Sequence, residues 1–86
     1  MITARKARDI SERYSEYMDK LQGYENDVEE LIKSTAHIGR TIVSFEVKED
    51  EDRYSIVHDL KKILLENNYH VHEKIYFEKF VLEIGW

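Results

Sequence analysis

Apolar and aromatic side chains recur at Ala7, Ile10, Tyr14, Tyr17, Leu21, Tyr24, Val28, Leu31, Thr35 and Ile38, in alternating steps of three and four residues. That heptad register predicts a long amphipathic helix. Thr3 supplies an N-cap before Ala4. The capping box stays incomplete, because Lys6 stands where a carboxylate or amide would be needed. Met18 and Ile32 lie beside the stripe and widen it, so it can face both a partner helix and the protein's own sheet. The helix is expected to stop at Gly39, before Arg40. Gly23 leaves two versions open. It can close one helix, with Asn26 and Glu29 opening another. Against a break, the heptad phase survives across it, and a lone outward Gly costs only about 1 kcal/mol.

The period then changes. From Thr41 to Lys48, Val43, Phe45 and Val47 alternate with Ser44, Glu46 and Lys48, the mark of a strand. The acidic run Glu49-Asp50-Glu51-Asp52 reads as a turn that places negative charge at the start of a second helix, where the helix dipole favours it. That helix is expected from about Asp52 to Glu66, with Tyr54, Val57, Leu60, Ile63 and Leu64 on one face, Ile56 flanking, and Asn67-Asn68 as a left-handed cap. Two alternating runs follow, from Tyr69 to Phe77 and from Phe80 to Trp86. Their connection around Glu78-Lys79 is tight but lacks the residues that favour two-residue hairpins. The expected fold is α+β: a long N-terminal helix, continuous or broken near Gly23, then a β-α-β-β unit with a small three-stranded mixed sheet. Val43, Phe45, Leu60, Leu64, Ile75, Leu82, Ile84 and Trp86 are the expected core.

Length turns this pattern into an argument about association. With 86 residues, the chain holds one domain, residues 1–86. A helix from Thr3 to Ile38 would be roughly 50 Å long, whereas a compact domain of this size is about 30 Å across. Such a helix overhangs its domain, and a second copy is the simplest cover for it. The expected self-association surface is Ile10, Tyr14, Tyr17, Leu21, Tyr24, Val28 and Leu31. Three tyrosines on that stripe suggest a wet seam or a recognition surface, because each buried hydroxyl needs a partner. The charges at the flanking positions are too few to choose parallel over antiparallel pairing.

Composition narrows the chemistry. Apolar residues at 42% can build a core, so the chain is not of disordered type. It has no Cys, which excludes disulfides and thiolate metal sites. No apolar run is long enough to span a membrane, and the start lacks a signal-peptide pattern, so a cytoplasmic location is expected. A net charge of −5 argues against a nucleic-acid groove. His70 and His72 point to one side of a strand, but no third ligand is fixed by the pattern, and a solvated face explains them better. The acidic run lacks the spacing of a calcium loop. Ser55 and His58 share a helix face without an orienting acid in the pattern. No Gly-rich phosphate loop, nucleophile elbow or zinc-protease motif is present. No catalytic residue, metal site or cofactor is therefore expected. Arg5, Lys6, Arg8 and Arg13 make the first helix locally basic, diluted by Asp9 and Glu12. Arg5, Arg8, Tyr14 and Arg40 form a candidate anion or nucleotide site if an oligomer gathers them.

Taken together, certain segments resemble a group of small uncharacterised bacteriophage proteins. These are the first turn Ile2-Thr3-Ala4-Arg5-Lys6-Ala7-Arg8, the helix end Leu31-Ile32 with Ala36 and Gly39, the segment Leu64-Leu65-Glu66-Asn67-Asn68-Tyr69-His70-Val71, and the close Leu82-Glu83-Ile84-Gly85-Trp86. The likeness spans the chain, with Asn68 where Gly is usual and Gly85 where a small polar residue is usual. It implies phage origin and action in the host bacterial cytoplasm. By analogy with small phage accessory proteins, it implies binding to a host protein, including an immune factor, or sequestering a nucleotide-derived immune signal as an oligomer.

Overall fold

The computed structural model covers Met1–Trp86. Helix α1 runs unbroken from Ala4 to His37, so Gly23 is an interior helical residue and not a stop. The Thr3 hydroxyl accepts the Lys6 N–H at 3.2 Å, as a cap should. At the other end Gly39 takes φ +81, where the Gly39 N–H donates to Ala36 O and the Arg40 N–H to Thr35 O. This is a Schellman close, and Gly meets its left-handed position without a Cβ penalty.

Strand β1 (Ile42–Val47) leads through the acidic turn to α2 (Arg53–Glu66), followed by β2 (His70–Tyr76) and β3 (Lys79–Gly85). Helix α2 ends in a second Schellman close. Asn68, at φ 67, donates to Leu65 O and Tyr69 to Leu64 O, so Asn serves where Gly is commoner. The expectation of a mixed sheet is corrected in detail. Strand β3 inserts between the other two, in the order β1-β3-β2, so both pairings are antiparallel. The crossover through α2 still joins two strands that run the same way, but they are not neighbours.

Both helices pack on one sheet face. Leu21, Val28 and Ile32 of α1 and Ile56, Val57, Leu60 and Leu64 of α2 are buried against Val47, Phe80, Leu82 and Ile84. Ile56, expected to flank, is fully enclosed, whereas Tyr54, expected on the buried face, is exposed at the first turn of α2. Val43 and Phe45 are half-buried at the edge of this core. Two expected core members are not in it. Ile75 is 62% exposed, because it lies on edge strand β2 beside the hairpin. Trp86 follows the last strand, sits edge-on to Tyr69, and donates its backbone N–H to Thr41 O at 2.9 Å.

The hairpin turn is Phe77-Glu78, one position earlier than expected, with φ values of 50 and 62. Two positive φ angles make a type I′ turn, which suits the twist of the strands but not these residues. Each costs on the order of 1 kcal/mol or more. Arg53 holds the turn by donating to Glu78 O at 3.1 Å, while its guanidinium stacks 4.2 Å over Phe80.

The molecule is elongated, 54 × 27 × 18 Å, with a radius of gyration of 15.5 Å. A compact chain of this length would have a radius of gyration of about 12 Å. The excess comes from α1, whose 34 residues make a rod about 51 Å long. Every residue from Met1 to Glu16 is exposed.

Candidate functional site

The projecting end of α1 and the start of α2 form an open cleft. Its walls are Tyr14 and Tyr17 from α1 and Asp52, Tyr54, Ser55, His58 and Asp59 from α2 and its cap. Helix geometry explains the convergence. Tyr14 and Tyr17 lie on adjacent turns of one stripe, and Tyr54, Ser55, His58 and Asp59 share one end of α2. The Tyr17 hydroxyl donates to Asp59 Oδ2 across the two helices. Partial burial, with that carboxylate beside it, pushes the Tyr17 hydroxyl well above the usual tyrosine range. The same hydrogen bond, joined by His58, holds the Asp59 carboxyl below the usual carboxylate range. The contact therefore fixes a neutral phenol against an ionised acid and locks the helices at this point.

One turn further along, Lys20 Nζ reaches Asp50 at 2.9 Å and Asp52 at 3.1 Å. Asp50 also accepts the backbone N–H of Asp52 at 2.9 Å, and these donors lower its pKa. The Lys20 ammonium is held the more firmly protonated, chiefly by Asp50. The acidic turn is thus a clamp on α1. Asp52 caps α2 without a side-chain hydrogen bond to the helix. Neither contact was legible in the sequence, since 42 residues separate Tyr17 from Asp59 and 30 separate Lys20 from Asp50.

The expected self-association stripe divides. Leu21 and Val28 are buried inside this chain, and Tyr17, Tyr24 and Leu31 are half-buried. Tyr17, Leu21, Tyr24 and Val28 are covered by the chain's own α2 and sheet, which removes Leu21 and Val28 from any surface offered to a second copy. Ile10 and Tyr14 remain free, 55% and 65% exposed, with Met18 beside them. Ala4, Ala7 and Ser11 continue the free face toward the N-terminus.

The candidate anion site is not assembled within one chain. Arg5, Arg8 and Tyr14 lie on the projecting end, whereas Arg40 follows the far end of α1, about 45 Å from Arg8 along the helix. His70 and His72 lie on the open sheet face near Glu83, and no group of three or more His, Asp or Glu side chains is placed to hold a metal ion. His58 Nδ1 lies 3.2 Å from Asp59 Oδ1, so an orienting acid that the pattern did not reveal is present. Ser55 makes no hydrogen bond to His58, whose side chain is open to solvent. A second groove, between α1 and α2, has an apolar floor of Val28, Ile32, Leu60 and Leu64 with Glu25 and Glu29 on its rim.

No helix is long and apolar enough to cross a membrane. No protein-family model matches the chain, and neither the curated proteins nor the solved structures include a significant match.

Proposed function

We propose that this chain is a non-enzymatic binding module that self-associates through the projecting end of α1 and acts by occupying, and so inhibiting, a protein of a bacterial host. One observation carries the reading. Thirteen residues, Ala4–Glu16, hold a regular helix with an apolar side and no cover inside the chain. Isolated helices of fewer than about 12–15 residues are marginal in water, so a segment this short gains its order from α1 behind it and from whatever it docks against. The resemblance to small phage proteins supplies the host and its cytoplasm as the setting, and makes an immune factor a candidate target.

The runner-up is an oligomeric sponge for a nucleotide-derived signal. It needs Arg40 to meet Arg5, Arg8 and Tyr14, and only a head-to-tail assembly of several copies would bring them together. A native mass spectrum paired with a denaturing one separates the readings. The proposal expects a clean multimer. A multimer carrying a few hundred extra daltons, lost on denaturation, would favour the sponge, whereas a clean monomer at high concentration contradicts self-association. A tagged chain expressed in bacteria tests the host arm. It should retain one host protein at near-stoichiometric yield, and failure to retain any such partner removes the inhibitor reading.

A further inference from the structure

We infer that the occupant of the projecting end is a second copy of this chain, lying antiparallel, with its basic first turn against the acidic junction of α1 and α2. The inference rests on the self-association reading and adds direction and register to it. Its warrant is charge placed by the fold. The first turn carries Arg5, Lys6 and Arg8 with no acid among Met1–Arg8, and all three are exposed. Two to three turns along the same helix stand Glu16 and Asp19, and the Lys20 clamp brings the turn Glu49–Asp52 beside them. That turn and the start of α2 line clefts with Glu16, Tyr14 and Tyr17; Arg13 and Lys20 also line one of them, so acids outnumber bases there without standing alone. A single helix thus presents a basic end and, roughly 15 Å away, an acidic shoulder.

Parallel pairing would set Arg5, Lys6 and Arg8 of both copies together and both acidic shoulders together. Antiparallel pairing sets each basic turn on the other copy's shoulder, and twofold symmetry makes the contact twice. The free face fixes the register. Ala4, Ser11 and Met18 recur every seven residues along one line beside Ile10 and Tyr14. Centring the crossing on Ser11 puts Ala4 against the partner's Met18 and Ile10 near the partner's Tyr14. Small residues at Ala4, Ala7 and Ser11 allow a close approach at the crossing. Each copy's first turn then lies beside the partner's shoulder, with Arg5 and Arg8 on the side of the helix that carries Glu16 and Asp19.

The chain lacks Cys, so introduced cysteines report the geometry directly. Under mild oxidation, S11C is expected to form a disulfide-linked dimer, A4C alone is not, and A4C mixed with M18C gives the mixed dimer. Efficient linking of A4C to itself overturns the antiparallel arrangement, as does failure of S11C. Charge gives a second reading on exposed positions that leave the fold intact. R5E/R8E is expected to weaken the dimer at least about tenfold, and adding E16K/D19K should restore most of that loss. No restoration overturns the charge assignment. Sedimentation of the unmodified chain separates the two levels. A dimer that links through A4C alone contradicts only the direction, whereas a monomer at high concentration contradicts self-association itself.

Discussion

Between Tyr17 and Ile32 the side chains of Tyr17, Leu21, Tyr24, Val28 and Ile32 lie against the chain's own α2 and sheet, whereas between Ala4 and Glu16 the same spacing leaves every residue exposed. The two halves follow one heptad pattern, share one continuous helix and differ only in what lies opposite. In the packed half the pattern produces core: Leu21, Val28 and Ile32 join Ile56, Leu60 and Leu82. The projecting half has its N-cap and its helical hydrogen bonds but no burial. Periodicity therefore marks an apolar face without saying what covers it. How much of that face the same chain covers depends on where a ~30 Å domain ends along a ~51 Å helix.

Ile56→Ala, which empties a fully enclosed site, should cost about 2–5 kcal/mol in urea unfolding. Ile10→Ala, measured on the dilute chain, should stay within about 0.5 kcal/mol. Equal costs for the two would show that the projecting half is packed after all. A smaller effect sharpens the packed side. Replacing Phe77-Glu78 by Asn-Gly relieves two left-handed residues and should stabilise the chain by about 1–2 kcal/mol. No gain would mean that the exposed Phe77, 94% open to solvent, contributes a contact to the hairpin.

Gly23 lies within the packed half, on its outward side, and an added Cβ there meets no atom within 4 Å. Gly23→Ala should therefore raise stability by about 0.5–1 kcal/mol and increase helicity by circular dichroism. A loss instead would show that α1 needs to bend there. The smallest effect is acid sensitivity, which belongs to the packed half. Asp50 is held ionised by the Asp52 N–H and by Lys20, and Asp59 by Tyr17 and His58, so both titrate below their unfolded value. A depressed folded pKa contributes stability above the unfolded value of about 3.9, and that contribution is lost as pH falls through the folded value. Thermal melting between about pH 5 and pH 3 should show this decline, and Asp50→Asn with Asp59→Asn should flatten it.

Much of the architecture was written in local spacing. The Thr3 cap, the Gly39 stop, the Asn68 close and the order of five elements all follow from neighbours within a turn. Strand order was not local. The hairpin between β2 and β3 fixes their pairing, but nothing nearby says that β3 takes the centre, which turns the sheet antiparallel and leaves Ile75 on an edge. The site was legible only in part. Tyr14 and the basic first turn stood out, whereas the Asp59 and Asp50 contacts depend on α2 crossing α1 at Tyr17 and Lys20. The positive φ values at Phe77 and Glu78 oppose residue preference outright, so composition placed that turn one position late.

A second chain docked on Ala4–Glu16 would add order to that segment beyond what the helix behind it supplies. Amide hydrogen exchange recorded across a dilution series tests it most directly. Protection of amides from Ala7 to Glu16 is expected to rise with protein concentration while protection around Leu60 and Leu82 stays constant. Protection of Ala7–Glu16 that does not change with concentration would contradict it.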